Sequence, residues 1–241
     1  MNYTEADLVA KWEDFFSSSA YKLEILIIAD GYPDRKSLNI DYSDLDSYDP
    51  DMAMHIMDHP DLSLALGKKA VRNLMPPGKE GYDVNIRIRG LPRDSRVEIR
   101  NLRSKHLGKL IAVEGLVRKA TEVRPRMVKG LFRCARCDAE IWEDQTGMMY
   151  KEPMMCTNPE GSCNKTATKF ILDQENSLFI DTQKIEIQES PEGRRGGAQP
   201  ERLTGFLEDD IAGQISPGNR LTLNGILRSL QKGGREKSTL F

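Results

Sequence analysis

Leu131-Phe132-Arg133-Cys134-Ala135-Arg136-Cys137, answered further along by Met155-Cys156-Thr157-Asn158-Pro159-Glu160-Gly161-Ser162-Cys163, contains all 4 cysteines of the 241-residue chain. A two-residue gap lets both thiolates of one turn face the same ion, and a second pair lies 18 residues on, a hairpin's length away. The second gap is wider, 6 residues, but Asn158, Pro159 and Gly161 supply the turn residues that a wider loop needs. Four thiolates fill a tetrahedral shell and leave no position for water, so the spacing predicts a structural zinc on Cys134, Cys137, Cys156 and Cys163 and argues against a catalytic one. Two disulfides or an iron–sulfur cluster are the other uses that four cysteines allow. The stretch from Cys134 to Cys163 is too short to bury a core of its own, so metal binding and local folding are expected to be one event.

The flanks of the cysteine stretch read as short strands. Val84, Ile86 and Ile88 alternate with Asn85, Arg87 and Arg89, the period of a strand with one buried face. Further strands are expected at 110–117, 127–133, 168–172, 178–187, 203–207 and 219–230, with one short helix from Asn101 to Lys109. Short twisted strands, a single small helix and a long insertion fit a five-stranded oligonucleotide-binding (OB) barrel, although other small barrels or sandwiches share that pattern. Upstream the period changes. Thr4 and Asp7 are placed as a capping box, and Leu8, Trp12, Phe15 and Phe16 follow at helical spacing until the serines at 17–19. Tyr21 to Asp30 is apolar enough for helix or strand, and Ser37 to Tyr42 alternates like a strand. Asp49-Pro50 opens a helix, and Asp61 reads as the cap of another that carries Leu62, Leu66, Val71 and Leu74. Pro76-Pro77-Gly78 then breaks the helical run. The expected fold is α+β and mainly β: an amino-terminal helical subdomain (1–78), an OB barrel in two parts (79–129 and 168–241) and a four-cysteine zinc subdomain inserted between them (130–167).

Composition narrows the function. With 39% hydrophobic and 30% charged residues the chain has the balance of a globular protein with a highly charged surface. Its longest apolar runs, such as Ile25 to Ala29, fall far short of a membrane span, and the start lacks the pattern of a signal peptide, so an intracellular, reducing compartment is expected. The net charge of −2 hides a polarity: residues 1–60 carry net −9 and residues 61–241 net +7. From Arg100 to Arg133 there are 10 Lys or Arg against Glu114 and Glu122 alone, a footprint for a polyanion or else a solvated basic face. Enzyme signatures are absent. His55 and His59 are spaced i, i+4, yet Ile56 stands where a zincin needs glutamate. The tail Gly233-Gly234-Arg235-Glu236-Lys237-Ser238 puts Glu236 where a Walker A loop needs glycine, so no ATP site is expected in this chain.

Ile99-Arg100-Asn101-Leu102-Arg103-Ser104-Lys105-His106-Leu107-Gly108-Lys109-Leu110, running on to Val117, resembles the minichromosome maintenance (MCM) replicative helicases of archaeal type, in their amino-terminal part. Val123-Arg124-Pro125-Arg126, the cysteines, Lys184 to Glu189, Gln199-Pro200, Leu207 to Asp210 and Pro217 to Arg220 follow in family order, so the resemblance covers nearly the whole chain. It departs from the family in having Glu201 between Pro200 and Arg202. The resemblance implies a collar that assembles into a hexameric ring or double ring around DNA, single-stranded in preference, with an ATP-dependent motor on a following carboxy-terminal domain. A cytoplasmic or nucleoid location follows, or a nuclear one in a eukaryote.

The resemblance also assigns residues. Arg118, Lys119, Arg124 and Arg126 match the region that the family uses for single strands on its OB face. A channel hairpin is expected at 228–241, where Gly233-Gly234 can form a tight turn and project Lys232, Arg235 and Lys237 together, with a disordered cationic tail as the other reading. Gln188, Glu189, Arg194 and Arg195 match the loop that communicates with the motor. Two other readings compete: a zinc-ribbon/OB nucleic-acid-binding adaptor and a zinc-stabilised protein-interaction module. Basic contacts with few aromatics between them imply binding that tolerates any base sequence and weakens with salt.

Overall fold

The computed structural model describes residues 3–145, 151–157, 163, 169–189, 199–229, 231–232 and 238–239. The chain divides into two compact units: Met1–Lys119 with Glu186–Leu203 and Pro217–Ser229, and Ala120–Ile185 with Thr204–Ser216 and Leu230–Phe241.

The first unit begins with helices. α1 (Glu5–Phe16) starts at Thr4, whose hydroxyl accepts from Asp7 N while the Asp7 carboxylate accepts from Thr4 N, each at 3.2 Å. Its buried face carries Leu8, Trp12, Phe15 and Phe16, as the spacing predicts. Trp12 stacks on Phe16 with ring centroids 5.0 Å apart and donates Nε1 to Ser63 O at 3.0 Å. The ambiguous stretch after it is helical: α2 (Ser19–Gly31) buries Tyr21, Ile25, Ile28 and Ala29, a period close to four. β1 (Ser37–Asp41), α3 (Tyr42–Tyr48), α4 (Pro50–Asp58) and α5 (Pro60–Leu74) follow. Asp49 caps α4 by accepting from Met52 N, whereas α5 has His59 at its cap and Pro60 as its first helical residue, which corrects the role expected for Asp61. Leu62 is also turned outward; the buried face of α5 runs through Ser63, Leu66, Gly67, Ala70 and Val71. Gly67 is required by close approach, because a Cβ there would come within 2.7 Å of Ile86 Cδ1 and 3.1 Å of Trp12.

β2 (Asn85–Arg89) pairs parallel with β1 in the register Leu38 to Ile86 and Ile40 to Ile88, and all four of these residues are buried. The expected helix at Asn101 to Lys109 does not form. Separate 3-10 turns stand at Arg93–Ser95, Ile99–Asn101 and Ser104–His106. Leu102 and Leu107 are five residues apart, so no apolar stripe at helical spacing holds a helix there, and only Ile99 of the turn residues is buried.

The larger sheet contains β3 (Leu110–Ala120), β4 (Arg124–Cys134), β5 (Glu140–Asp144), β6 (Phe170–Gln188), β7 (Arg202–Glu208) and β8 (Arg220–Ile226). Its order is β5-β4-β6-β3-β8, with β7 also on β6. β3 pairs antiparallel with β8, and β4 pairs antiparallel with both β5 and β6. Leu110 and Ala112 of β3 join the buried cluster of the helices, so one core serves α1–α5 and the start of the barrel. Gly115 lets β3 approach β6, since a Cβ there would lie 2.8 Å from Gln188 O. Two strands expected at 168–172 and 178–187 are one, β6, whose register on β4 slips between Lys129 and Leu131. The slip is closed by side chains: Leu131 N donates to Ser177 Oγ at 2.9 Å, and Ser177 Oγ donates to Asp173 O at 2.6 Å.

Candidate metal centre and nucleic-acid interface

β4 delivers Cys134 at its last residue, and the chain turns through Cys137 back into β5. Cys134 N donates to Ala139 O at 3.0 Å and Asp138 N to Cys134 O at 2.9 Å, with Asp138 at a φ of 55°. The turn points Cys134 and Cys137 toward Cys156 and Cys163, and all four Sγ atoms lie within 4.8 Å of one another. Cys134 Sγ is 3.8 Å from Cys163 Sγ, and Cys137 Sγ is 3.6 Å from Cys156 Sγ. A tetrahedron with metal–sulfur bonds of about 2.3 Å has sulfurs about 3.8 Å apart, so the cluster has the dimensions of a metal site. None of the four cysteines is in a disulfide. Cys134, Cys156 and Cys163 are buried against Phe132, Ile141 and Phe170. The backbone N–H of Arg136, with that of Cys137, lowers the Cys134 thiol to about 7 and so favours the thiolate that binds metal. His55 and His59 behave differently. His55 Nδ1 is 3.1 Å from Ser63 Oγ, its ring packs on His59 and Tyr3, and no third ligand joins the two among the described residues.

The basic residues divide by environment. Arg118 and Lys119 are exposed near the end of β3, and Arg124 is exposed at the start of β4. Lys119 and Arg124 have no acidic partner among the described residues, whereas Arg118 Nη1 donates to Gln188 Oε1 at 3.1 Å. Arg126 is half-buried and its Nη2 donates to Glu208 Oε1 at 2.7 Å. At the carboxy-terminal end, β9 (Gln231–Lys232) and β10 (Ser238–Thr239) pair antiparallel, with Lys232 opposite Ser238. Arg235 and Lys237, between those strands, lie outside the described residues, as do Arg194 and Arg195.

Glu189 has a specific place. It is buried just past β6, where its carboxylate accepts from Arg100 N at 3.0 Å, Arg100 Nε at 2.9 Å and Arg100 Nη2 at 2.6 Å. The Arg100 guanidinium holds the Glu189 carboxyl down to about 2, well below the usual carboxylate range. Glu189 N also donates to Glu201 O at 3.1 Å, which closes the root of the loop between them. Arg100, 89 residues away in sequence, has no signal in a single sequence that marks it as this partner. The same holds for Glu186, an ion-pair partner of both Arg118 and Arg202.

Comparison with known proteins adds to this geometry. Residues 10–90 match the family model described as the MCM N-terminal domain, and residues 98–231 match that of the MCM OB domain. A minichromosome maintenance protein MCM of Saccharolobus solfataricus is 32% identical over 203 residues, which cover 80% of this chain and 29% of that protein. A DNA replication licensing factor of Drosophila melanogaster, Mcm6, is 29% identical over 81% of this chain and 24% of its own length. The chain therefore spans under a third of these relatives. The crystal structure of the N-terminal domain of an archaeal MCM superposes with a TM-score of 0.80 at 32% identity, covering 98% of this chain and 94% of that one.

Proposed function

Because this chain belongs to the MCM family, in which it comprises an N-terminal domain followed by an OB domain, we propose that it is the DNA-binding, ring-forming amino-terminal collar of a replicative helicase. The observation that carries the reading is the likeness to an archaeal MCM amino-terminal domain along 98% of the chain. The names of its relatives place them in chromosome maintenance and in the licensing of DNA replication. The collar has three parts, helical (1–78), barrel (79–129 and 168–241) and metal-binding (130–167). It assembles as a hexamer, single or double, and a carboxy-terminal ATPase domain supplies the motor. Its work is on chromosomal DNA in the nucleoid, or in the nucleus of a eukaryote, and no helix among the described residues is long and apolar enough to cross a membrane.

The metal is one zinc per chain, held by Cys134, Cys137, Cys156 and Cys163. Sulfur separations of 3.6 and 3.8 Å support that ion, whose thiolate bonds require a tetrahedron of this size. Zinc here supplies no reaction step; the cysteines cross-link the end of β4 to the chain around Cys156 and Cys163.

DNA is held by Arg118, Lys119, Arg124 and Arg126 on the barrel and by Lys232, Arg235 and Lys237 on the hairpin. The exposure of Lys119 and Arg124 without acidic partners among the described residues supports the first set, with Arg126 the weakest member because Glu208 already occupies it. The antiparallel pairing of β9 and β10 on either side of 233–237 supports the second. Gln188, Glu189, Arg194 and Arg195 serve communication with the motor, with Glu189 anchoring the loop rather than reaching out from it. Titration of labelled single-stranded oligonucleotides at several salt concentrations tests the whole reading. Binding should be tolerant of sequence and fall steeply with salt. Alanine at Lys232, Arg235 and Lys237 together should flatten the salt slope by about 2, at roughly 0.7 per lost phosphate contact. An unchanged slope removes the hairpin from the site.

A further inference from the structure

Arg118, Glu186 and Arg202 form a row across three strands. β6 supplies the carboxylate, and its neighbours β3 and β7 supply one arginine each. Ile185 and Ile187 are buried, so strand alternation turns Glu186 to the opposite face, where its side chain is 27% exposed. Its Oε1 lies 3.8 Å from Arg118 Nε and 3.6 Å from Arg202 Nη1. Both are ion-pair distances outside hydrogen-bond range, and the oxygen is shielded from solvent without a hydrogen-bond partner among the described residues. One carboxylate is thus shared between two guanidiniums and bonded fully to neither. The two arginines keep 47% and 43% of their side-chain surface exposed, so an incoming anion can reach them. A phosphodiester oxygen can approach a single guanidinium to about 2.8 Å, closer than Glu186 lies to either.

We infer that Glu186 is an internal counter-anion that competes with the phosphodiester backbone for Arg118 and Arg202, and so holds strand affinity down at this part of the barrel. The inference rests on the DNA-binding reading above. Glu186 acts through its neighbours and touches no DNA; it is a positioning residue whose removal strengthens binding. Weak, exchangeable phosphate contacts suit a ring that must translocate, because every tight contact has to break at each step.

The test is a comparison of Glu186→Gln and Glu186→Ala with Glu122→Gln, which removes the same charge from an exposed acid that has no ion pair among the described residues. With single-stranded oligonucleotides at low salt, both Glu186 variants should bind about threefold to tenfold tighter than wild type, the range that two half-exposed ion pairs can withhold. The salt slope should steepen by roughly 0.7 for each phosphate newly engaged. Glu122→Gln should give less than half of that gain. In an Arg118→Ala, Arg202→Ala background the gain from Glu186→Gln should vanish. Equal affinities for Glu186→Gln and Glu122→Gln, or a gain that survives without the two arginines, would overturn the inference while leaving DNA binding intact. A wild-type protein that binds no oligonucleotide at low salt would overturn both.

Discussion

The helical part and the cysteine-bearing part hold themselves together by different physics. Around α1 to α5 a continuous cluster of 24 buried residues among those described, led by Trp12, Phe16, Met52 and Ile56, excludes water. Among the described residues the buried cluster around Cys134 has 6 members, and 3 of them are cysteines. The first region can fold by burial of apolar surface, at roughly 25 cal/mol per Å². The second has far fewer buried apolar side chains among the described residues, and there a metal held by the four thiols would supply the stability. A chain of modest length can therefore hold a stretch with few buried apolar side chains, provided that four thiols converge.

Metal removal is the strongest way to break this contrast. Structural zinc contributes on the order of 10 kcal/mol to small thiolate domains, so chelation, or Cys137→Ser, should unfold the segment around β5. Hydrogen exchange should show loss of protection at residues 131–144 while α1 and α5 stay protected. Retained protection in a fully stripped protein would mean that Phe132, Ile141 and Phe170 suffice.

A second experiment attacks the other side. Trp12→Ala should cost about 3–5 kcal/mol, the usual result of emptying a large core site. Thermal unfolding would report the loss, and elemental analysis of the folded variant should still find one zinc per chain. Loss of zinc in that variant would show that the regions are coupled and the contrast is false.

The smallest effect concerns a third kind of stabilisation, a half-buried ion pair. Arg100 depresses Glu189 to about 2, so the pair's contribution is fully present above the carboxyl's ordinary value near 4.5. It is lost as pH falls from there through about 2. The amount is on the order of 2 kcal/mol. Glu189→Gln should be less stable than wild type at pH 7, with the gap closing as the pH is lowered across that window. A gap that does not change with pH would mean that the carboxylate's charge is irrelevant to the anchor.

What the sequence made legible follows the same division. Local chemistry was readable: Thr4 and Asp7 form the capping box, Val84, Ile86 and Ile88 point inward, and the thiols converge as their spacing implies. Features that depend on distant partners were not. β5 escaped notice because Glu140, Glu143 and Asp144 give it the composition of a loop, and only its pairing along β4 makes it a strand. The polar run Asp173 to Ser177 reads as a break, but it lies within β6 because Ser177 bonds to Leu131 across the ladder. Among candidate site residues, charge alone nominated Arg126 as readily as Arg124. Only the fold reveals that Glu208 claims the former. Arg202 likewise had no role until β7 brought it to Glu186.

The closed root between Glu189 and Glu201 has a practical consequence. Glu189 N donates to Glu201 O, and the carboxylate at the same position is anchored independently by Arg100, so the two ends of the segment are fixed whatever its length. The entropy of closing a chain segment grows slowly with its length, at about 0.6 kcal/mol per doubling. A longer chain between Glu189 and Glu201 should therefore cost the barrel little stability, because the bonds that hold its two ends do not depend on what runs between them.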